Sequence, residues 1–253
     1  MLDIENSRVE ISPKNIKFLS FEYLDKFHFH FVHKSNNLSH IELLNQLIQV
    51  NRNLRFTLNL SLRHLADYIR INNPDLIVDK INVRIKRISK YTNISDVLLV
   101  SGNGSKIFTH DIINRIKSNI PIGVAYNPFF NKEYERYKLE LKLSNPHVRY
   151  IYFQVGEDIN VIKDEILFIK ERYHQINIVL SIIFPTPSFF AKFRFRPWKH
   201  VLLSKRYLID FEYSNSIFLR QIEFCIDQKI QFILVGDLRD IIKHFVSSKK
   251  CKN

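Results

Sequence analysis

Asp96-Val97-Leu98-Leu99-Val100 and Ile176-Asn177-Ile178-Val179-Leu180 are the stretches that decide the fold. Each is short, rich in β-branched and aliphatic residues, and almost unbroken in its hydrophobicity. A strand with one wet face alternates apolar and polar residues, so an unbroken run marks a strand covered on both faces. Working outward from these two, eight such runs lie at 8–12, 28–33, 54–60, 96–100, 121–126, 148–154, 177–184 and 230–235. Between them lie amphipathic segments at 14–26, 39–50, 75–91, 110–118, 132–143, 160–173, 215–228 and 238–247. Strand followed by helix, repeated, is the pattern of a parallel sheet. A (β/α)8 barrel runs to about 250 residues as one domain, and this chain has 253. The expected architecture is α/β, a (β/α)8 TIM barrel over residues 1–248 with a basic, frayed tail at 249–253. Pro185, Pro187 and Pro197 interrupt any continuous helix between 185 and 207, which predicts a long loop after the seventh strand.

Composition narrows the class. Hydrophobic residues make up 45%, with 21 Phe and 11 Tyr, enough to build a sizeable core. Cys225 and Cys251 are the two cysteines and have no paired spacing, which argues against a disulfide framework or a cysteine-based metal site. The formal net charge is +13, but the basic residues are scattered among acidic ones. That pattern favours an anionic small molecule over nucleic acid as partner. No apolar run reaches the roughly 18–20 residues of a membrane span, and residues 1–10 are polar. A cytoplasmic protein without a membrane partner is expected; a homo-oligomer is left open.

In such a barrel the chemistry gathers at the strand C-terminal ends, so polar residues interrupting those ends are the candidates. Glu10 interrupts Val9-Glu10-Ile11. It faces either the lumen or an exposed edge; in the lumen, desolvation would raise its pKa and suit it to general acid work, and the alternative is that it pairs with Arg8 or another basic side chain. Asn59 lies between Leu58 and Leu60, and Gln154 ends Tyr152-Phe153-Gln154, as a ligand contact or as a buried amide serving backbone groups. Ser101-Gly102-Asn103-Gly104 follows Val100, either a tight turn or a place where a ligand approaches the backbone. His28 and His30 share one strand face and could begin a metal site, but no later set of strand-end His and Asp residues completes it; the plainer reading is polar residues of a partly wet strand. Phe193-Arg194-Phe195-Arg196-Pro197-Trp198-Lys199-His200 interleaves bases with aromatics, which suits a lid over the mouth, a nucleic-acid platform, or a loop packed by its own rings.

Taken in order, these strand ends resemble the methylenetetrahydrofolate reductase family of flavin-containing (β/α) barrels. Val9-Glu10-Ile11-Ser12-Pro13 is similar to the family's Phe-Glu-Phe-Phe-Pro, and Leu58-Asn59-Leu60-Ser61 sits where the family has His-Leu-Thr. Leu99-Val100-Ser101-Gly102-Asn103 resembles Leu-Arg-Gly-Asp, and Gly123-Val124-Ala125-Tyr126 resembles Val-Ala-Ala-Tyr. Tyr152-Phe153-Gln154, preceded by Lys142, resembles Ile-Thr-Gln, and Ile183-Phe184-Pro185 resembles Gly-Ile-Met-Pro. Asn103 stands for an Asp, Asn59 for a His, and Asn127-Pro128-Phe129-Phe130 for a stretch carrying a flavin-phosphate contact.

The resemblance implies reduction of the methylene carried on tetrahydrofolate to methyl, with hydride from reduced FAD or directly from NAD(P)H. It implies Glu10, Asn103 and Gln154 as catalytic residues, and Asn59, Ser101, Gly102, Asn103, Tyr126 and Lys142 as cofactor contacts, with no metal. Two other classes remain: a non-redox folate- or nucleotide-binding barrel, either a transferase or a metal hydrolase using His28 and His30, and a diverged barrel that binds without catalysis.

Overall fold

The computed structural model describes residues 7–11, 27–32, 45, 49, 54–69, 73–102 and 105–250, with the side chains of 66–69 and 245–250 left aside. Eight strands run β1 Ser7–Ile11, β2 His28–Phe31, β3 Arg55–Ser61, β4 Ile94–Val100, β5 Ile122–Tyr126, β6 Val148–Phe153, β7 Asn177–Ile183 and β8 Gln231–Val235. Each pairs in parallel with the next, and β8 pairs with β1 through Arg8 opposite Ile233 and Val9 opposite Leu234, so the barrel closes in chain order. The expected (β/α)8 barrel is the fold.

The described helices are α1 Leu62–Ile69, α2 Pro74–Ile88, α3 Thr109–Ile112, α4 Lys132–Leu143, α5 Ile159–Arg172, α6 Pro187–Phe195, α7 Lys205–Ile209, α8 Phe211–Asp227 and α9 Leu238–Lys250. α2 shows how the sequence sets them. Asn73 Oδ1 accepts the backbone N–H of Asp75 at 2.9 Å, Pro74 opens the first turn, and Lys86 and Arg87 close the last, where the helix dipole favours positive charge. Ile77, Val78, Ile81, Ile85 and Ile88 recur at three- and four-residue spacing and are buried.

Four departures from the expected elements have local causes. α1 follows β3 with no intervening loop and is not among the expected helices, although Leu62, Leu65, Ala66 and Ile69 recur at helical spacing. The segment 110–118 is helical only through Ile112, with one 3-10 turn over Ile113–Arg115 before Ile116 turns extended. Residues 185–207 are not a bare loop. Thr186 Oγ1 accepts the Phe189 N–H at 3.1 Å and Pro187 opens the first turn, so the proline starts α6 instead of breaking it. α9 extends to Lys250, into the stretch expected as tail. The expected helix at 14–26 lies outside the described residues, as does most of the one at 39–50, of which 45 and 49 are helical.

Alternation along each strand sorts the core in two. Val9, Phe29, Phe56, Leu99, Val124, Ile151, Leu180 and Leu234 face outward and bury against the helices. Leu98, Tyr152, Val179, Ile183, Ile233 and Val235 belong to a second cluster, inside the barrel and continuous with Phe189, Phe190 and Phe193 of α6 and Tyr207 of α7. The segment between β7 and α8 therefore seals one side of the barrel interior.

Candidate active site in the barrel lumen

The lumen side chains stack in layers contributed alternately by odd and even strands. Arg8, Thr57, Gly123 and Val179 form one odd layer; Glu10, Asn59, Ala125 and Ser181, two residues further along the same strands, form the next toward the C-terminal mouth. His30, Leu98, Tyr152 and Ile233 lie between them, and His28, Asp96, Tyr150 and Gln231 below.

The lower layers hold a closed polar network. Arg8 pairs with Asp96 at 2.9 Å, and both side chains are almost fully buried. The guanidinium also donates to Thr57 Oγ1 at 2.6 Å, Gln231 Oε1 at 2.7 Å and the Tyr152 hydroxyl. Tyr152 donates to Asp96 in turn, and Thr57 Oγ1 donates to Asp96 at 2.9 Å. Because the single Thr57 proton is used on Asp96, His28 Nε2, 2.9 Å from Thr57 Oγ1, must be the donor of that bond. Burial opposes the charge of Arg8, but Tyr152 and Asp96 outweigh it and raise its pKa. Burial, followed by the charge of Asp96, pushes the Tyr152 phenol well above its usual range. Burial and then Arg8 depress both histidines, His28 to about 2 and His30 to about 3, so both are neutral at physiological pH. Gly123 makes room for the network: a Cβ there would run into the Tyr152 ring.

Arg8, Thr57 and Asp96 escaped the sequence reading because each sits in the lower half of its strand, away from the ends searched, and Tyr152, near the end of β6, because it stands in an apolar run. The signal was present: Asp96 opens an otherwise apolar run, and Arg8 precedes Val9 on a strand buried on both sides. His28 and His30, expected on a partly wet strand, are buried, because the closed barrel excludes water at their level.

The upper layer differs. Glu10, Asn59, Ala125 and Ser181 are all partly exposed, and Gln154, Val32 and Val100 above them are too. The lumen is thus open from the mouth down to this layer, and His30, Leu98, Tyr152 and Ile233 floor it. Closure of the barrel leaves no sheet edge, so Glu10 faces the lumen. Gln154 shares the lumen face with Tyr152, and its side-chain oxygen accepts the N–H of Val155 at 3.1 Å.

Glu10, Asn59 and Gln154 therefore come to one cavity, whereas other expected contacts do not. Tyr126 points out of the barrel: its hydroxyl donates to Glu165 Oε2 at 2.5 Å on α5, which also receives Arg136 at 2.8 and 3.0 Å and Lys132 at 2.9 Å. Burial alone would raise the Glu165 pKa, and the bonds from Arg136, Tyr126 and Lys132 hold it low instead. Lys142, on α4, donates to the Ala125 carbonyl at 2.7 Å, and burial lowers its pKa to about 8. The Ser101 hydroxyl accepts the Thr109 N–H at 2.9 Å and so ties down the turn after β4. Gly102 has φ +81, a conformation that favours glycine, and an added Cβ would meet Ser61 and Arg63. Asn103 lies outside the described residues. Among the described residues, Tyr126 and Lys142 thus face away from the lumen and Ser101 is engaged in its own turn.

In the stretch 193–200 Phe193 is buried and Trp198 lies 5.5 Å from Phe189 and 5.8 Å from Phe193, edge to face, while Phe195 and the basic residues are exposed. Asn127 Nδ2 donates to the His200 carbonyl at 2.9 Å, and Glu157 accepts from the Ser204 N–H at 2.6 Å and hydroxyl at 2.9 Å. The segment thus straps the loops after β5 and β6 and walls that side of the mouth. Among the described residues no group of three or more His, Cys, Asp or Glu stands close enough to hold a metal ion, and the Arg8 cation beside His28 and His30 opposes a second positive charge there. No described helix is long and apolar enough to cross a membrane.

These features define a (β/α)8 barrel with a sealed, ion-paired base and an open, polar mouth. No protein-family profile matches the chain, and no curated protein does. Among solved structures it is similar to a glycoside hydrolase family 18 N-acetylglucosaminidase from Paenibacillus barengoltzii, at 11% identity and a TM-score of 0.43 over 70% of this chain and 68% of that one. A likeness at that level carries no inference about activity.

Proposed function

We propose that the protein is an oxidoreductase of the methylenetetrahydrofolate reductase type, acting at the C-terminal mouth of the barrel on a methylene group carried by tetrahydrofolate. The observation behind this reading is that Glu10, Asn59 and Gln154, from β1, β3 and the end of β6, share the partly open lumen in the order the family pattern assigns them. Glu10 is the general acid. It delivers a proton to one of the two folate nitrogens bridged by the methylene; that C–N bond breaks, and its electron pair stays on the protonated nitrogen. The remaining nitrogen and the carbon form an iminium, which accepts hydride from reduced nicotinamide to give the methyl group, with oxidised nicotinamide as the other product. The Gln154 amide binds the pterin by hydrogen bonds. Tyr126 and Lys142 face away from the lumen, so hydride is assigned to the nicotinamide and no step is routed through flavin.

The test is methylenetetrahydrofolate-dependent oxidation of reduced nicotinamide by the purified protein, followed by absorbance with and without added FAD. Glu10→Gln should lower turnover by about 10²–10⁴-fold with an unchanged unfolding midpoint. Full activity of that variant removes Glu10 from the mechanism, and no turnover by the native protein removes the reading.

A further inference from the structure

Two buried polar atoms at the floor of the open lumen have no hydrogen-bond partner: His30 Nδ1 and Asn59 Oδ1. They are neighbours. His30 stands opposite Thr57 in the β2–β3 register, and Asn59 follows two residues later on the same face of β3. His30 is 4% exposed, its ring lies 5.7 Å from that of Tyr152, and it forms the boundary between the sealed base and the accessible layer. Of the polar groups just below, Thr57, Asp96, Tyr152, Arg8 Nη1 and Nη2, and His28 bond one another or Gln231, while Arg8 Nε, deeper in the lumen, is also buried without a partner. A buried polar atom left unpaired destabilises a fold, and where two lie together at the end of an accessible cavity they point to something that binds there.

We propose that His30 and Asn59 form one recognition pair at the blind end of the lumen, which takes the amidine-like edge of a flat, uncharged aminopyrimidine-type heterocycle. Such an edge carries an exocyclic amino group beside a ring nitrogen. The amino group donates to Asn59 Oδ1, and the ring nitrogen or the second amino proton meets His30 Nδ1, according to the tautomer of the imidazole. The imidazole is neutral because burial and Arg8 depress it. The same Arg8 charge disfavours a cationic ligand, and a neutral heterocycle avoids that penalty. The inference rests on the folate reading for the identity of the ring, since a pterin carries this edge, but the pair itself is independent of any reduction step.

The experiment has two arms. In the first, pterin, which has the aminopyrimidinone edge but no methylene and no glutamate tail, is titrated calorimetrically into the native protein and into His30→Phe and Asn59→Leu. Native binding with a loss of about tenfold or more in each variant, the order expected for one lost bond to a buried group, is the expected result. In the second, the unfolding midpoints of the two variants are measured without ligand. Because each substitution removes an unpaired buried atom, the midpoints should rise or hold while affinity falls. A clear fall in both midpoints means that the two atoms serve the fold through structural water, and overturns the proposal. Unchanged pterin affinity in both variants, or no pterin binding by the native protein, overturns it as well. The two readings fail separately. Turnover that survives His30→Phe with unchanged KM sinks the recognition pair and leaves the reductase reading standing. Pterin binding lost in the variants of a protein that never oxidises nicotinamide sinks the reductase reading and leaves the pair.

Discussion

The two halves of the lumen are built from the same strands, and often from residues two apart, yet they are opposite in character. Below, Arg8, Thr57, Asp96, Tyr152 and His28 are buried and bond one another, with Arg8 Nε alone of the guanidinium nitrogens left without a partner. Above, Glu10, Asn59 and Ser181 are partly exposed, and Asn59 keeps an unpaired oxygen. A step of two residues along β1, from Arg8 to Glu10, passes from a charge fixed by an internal partner to a carboxylate in an accessible cavity. The difference teaches that polarity inside a barrel is not in itself a sign of function. What separates the halves is whether water reaches the polar groups.

The sharpest way to break this contrast is to remove one member of the lower pair. Asp96→Leu leaves Arg8 buried and uncompensated, which should cost about 3–5 kcal/mol in the unfolding free energy. Replacing Arg8 by Met in the same chain should recover part of that loss, because no buried charge then remains. Denaturant unfolding of the single and double variants reads both; a single variant as stable as the native protein would show that the network contributes nothing to the base.

The histidines sharpen the contrast by pH. In the unfolded chain each titrates near 6.5, whereas folded His28 and His30 are depressed to about 2 and about 3. The unfolded state therefore binds more protons below about pH 6.5. The stability these groups contribute is fully present above that value and is lost as pH falls toward 3. The slope approaches about 1.4 kcal/mol per pH unit for each histidine. Unfolding curves between pH 7 and pH 4 should show this decline, and His30→Phe should reduce its slope; identical slopes would mean that His30 is not held neutral.

The smallest effect belongs outside the barrel wall. Tyr126→Phe removes one donor from Glu165, which keeps Arg136 and Lys132, so the cost should be about 1–2 kcal/mol. Pterin affinity should not change. A variant that loses affinity instead would place Tyr126 in communication with the mouth despite facing away from it.

How much of this was legible in sequence can be read residue by residue. The strands were legible because unbroken runs such as Val97-Leu98-Leu99-Val100 have no wet face. Glu10, Asn59 and Gln154 were legible as interruptions at strand ends, and all three reach the lumen. Tyr126 and Lys142 were assigned from a linear pattern, and that pattern does not say on which side of β5 a side chain emerges. Tyr126 has the parity of Val124, which packs outward, and only the register reveals this. The helix α1 was legible too, in the helical spacing of Leu62, Leu65, Ala66 and Ile69, but no loop separates it from β3.

The sequence by itself determined the repeat of strand and helix and the burial of the strands on both faces, because hydrophobic period and strand length are properties of neighbouring residues. Only the tertiary structure decided which polar residues are spent and which are available. Arg8 and Asp96 are 88 positions apart and meet at 2.9 Å because the barrel wraps β1 and β4 around one narrow lumen. Pairing across that lumen depends on register and closure, which no local pattern encodes.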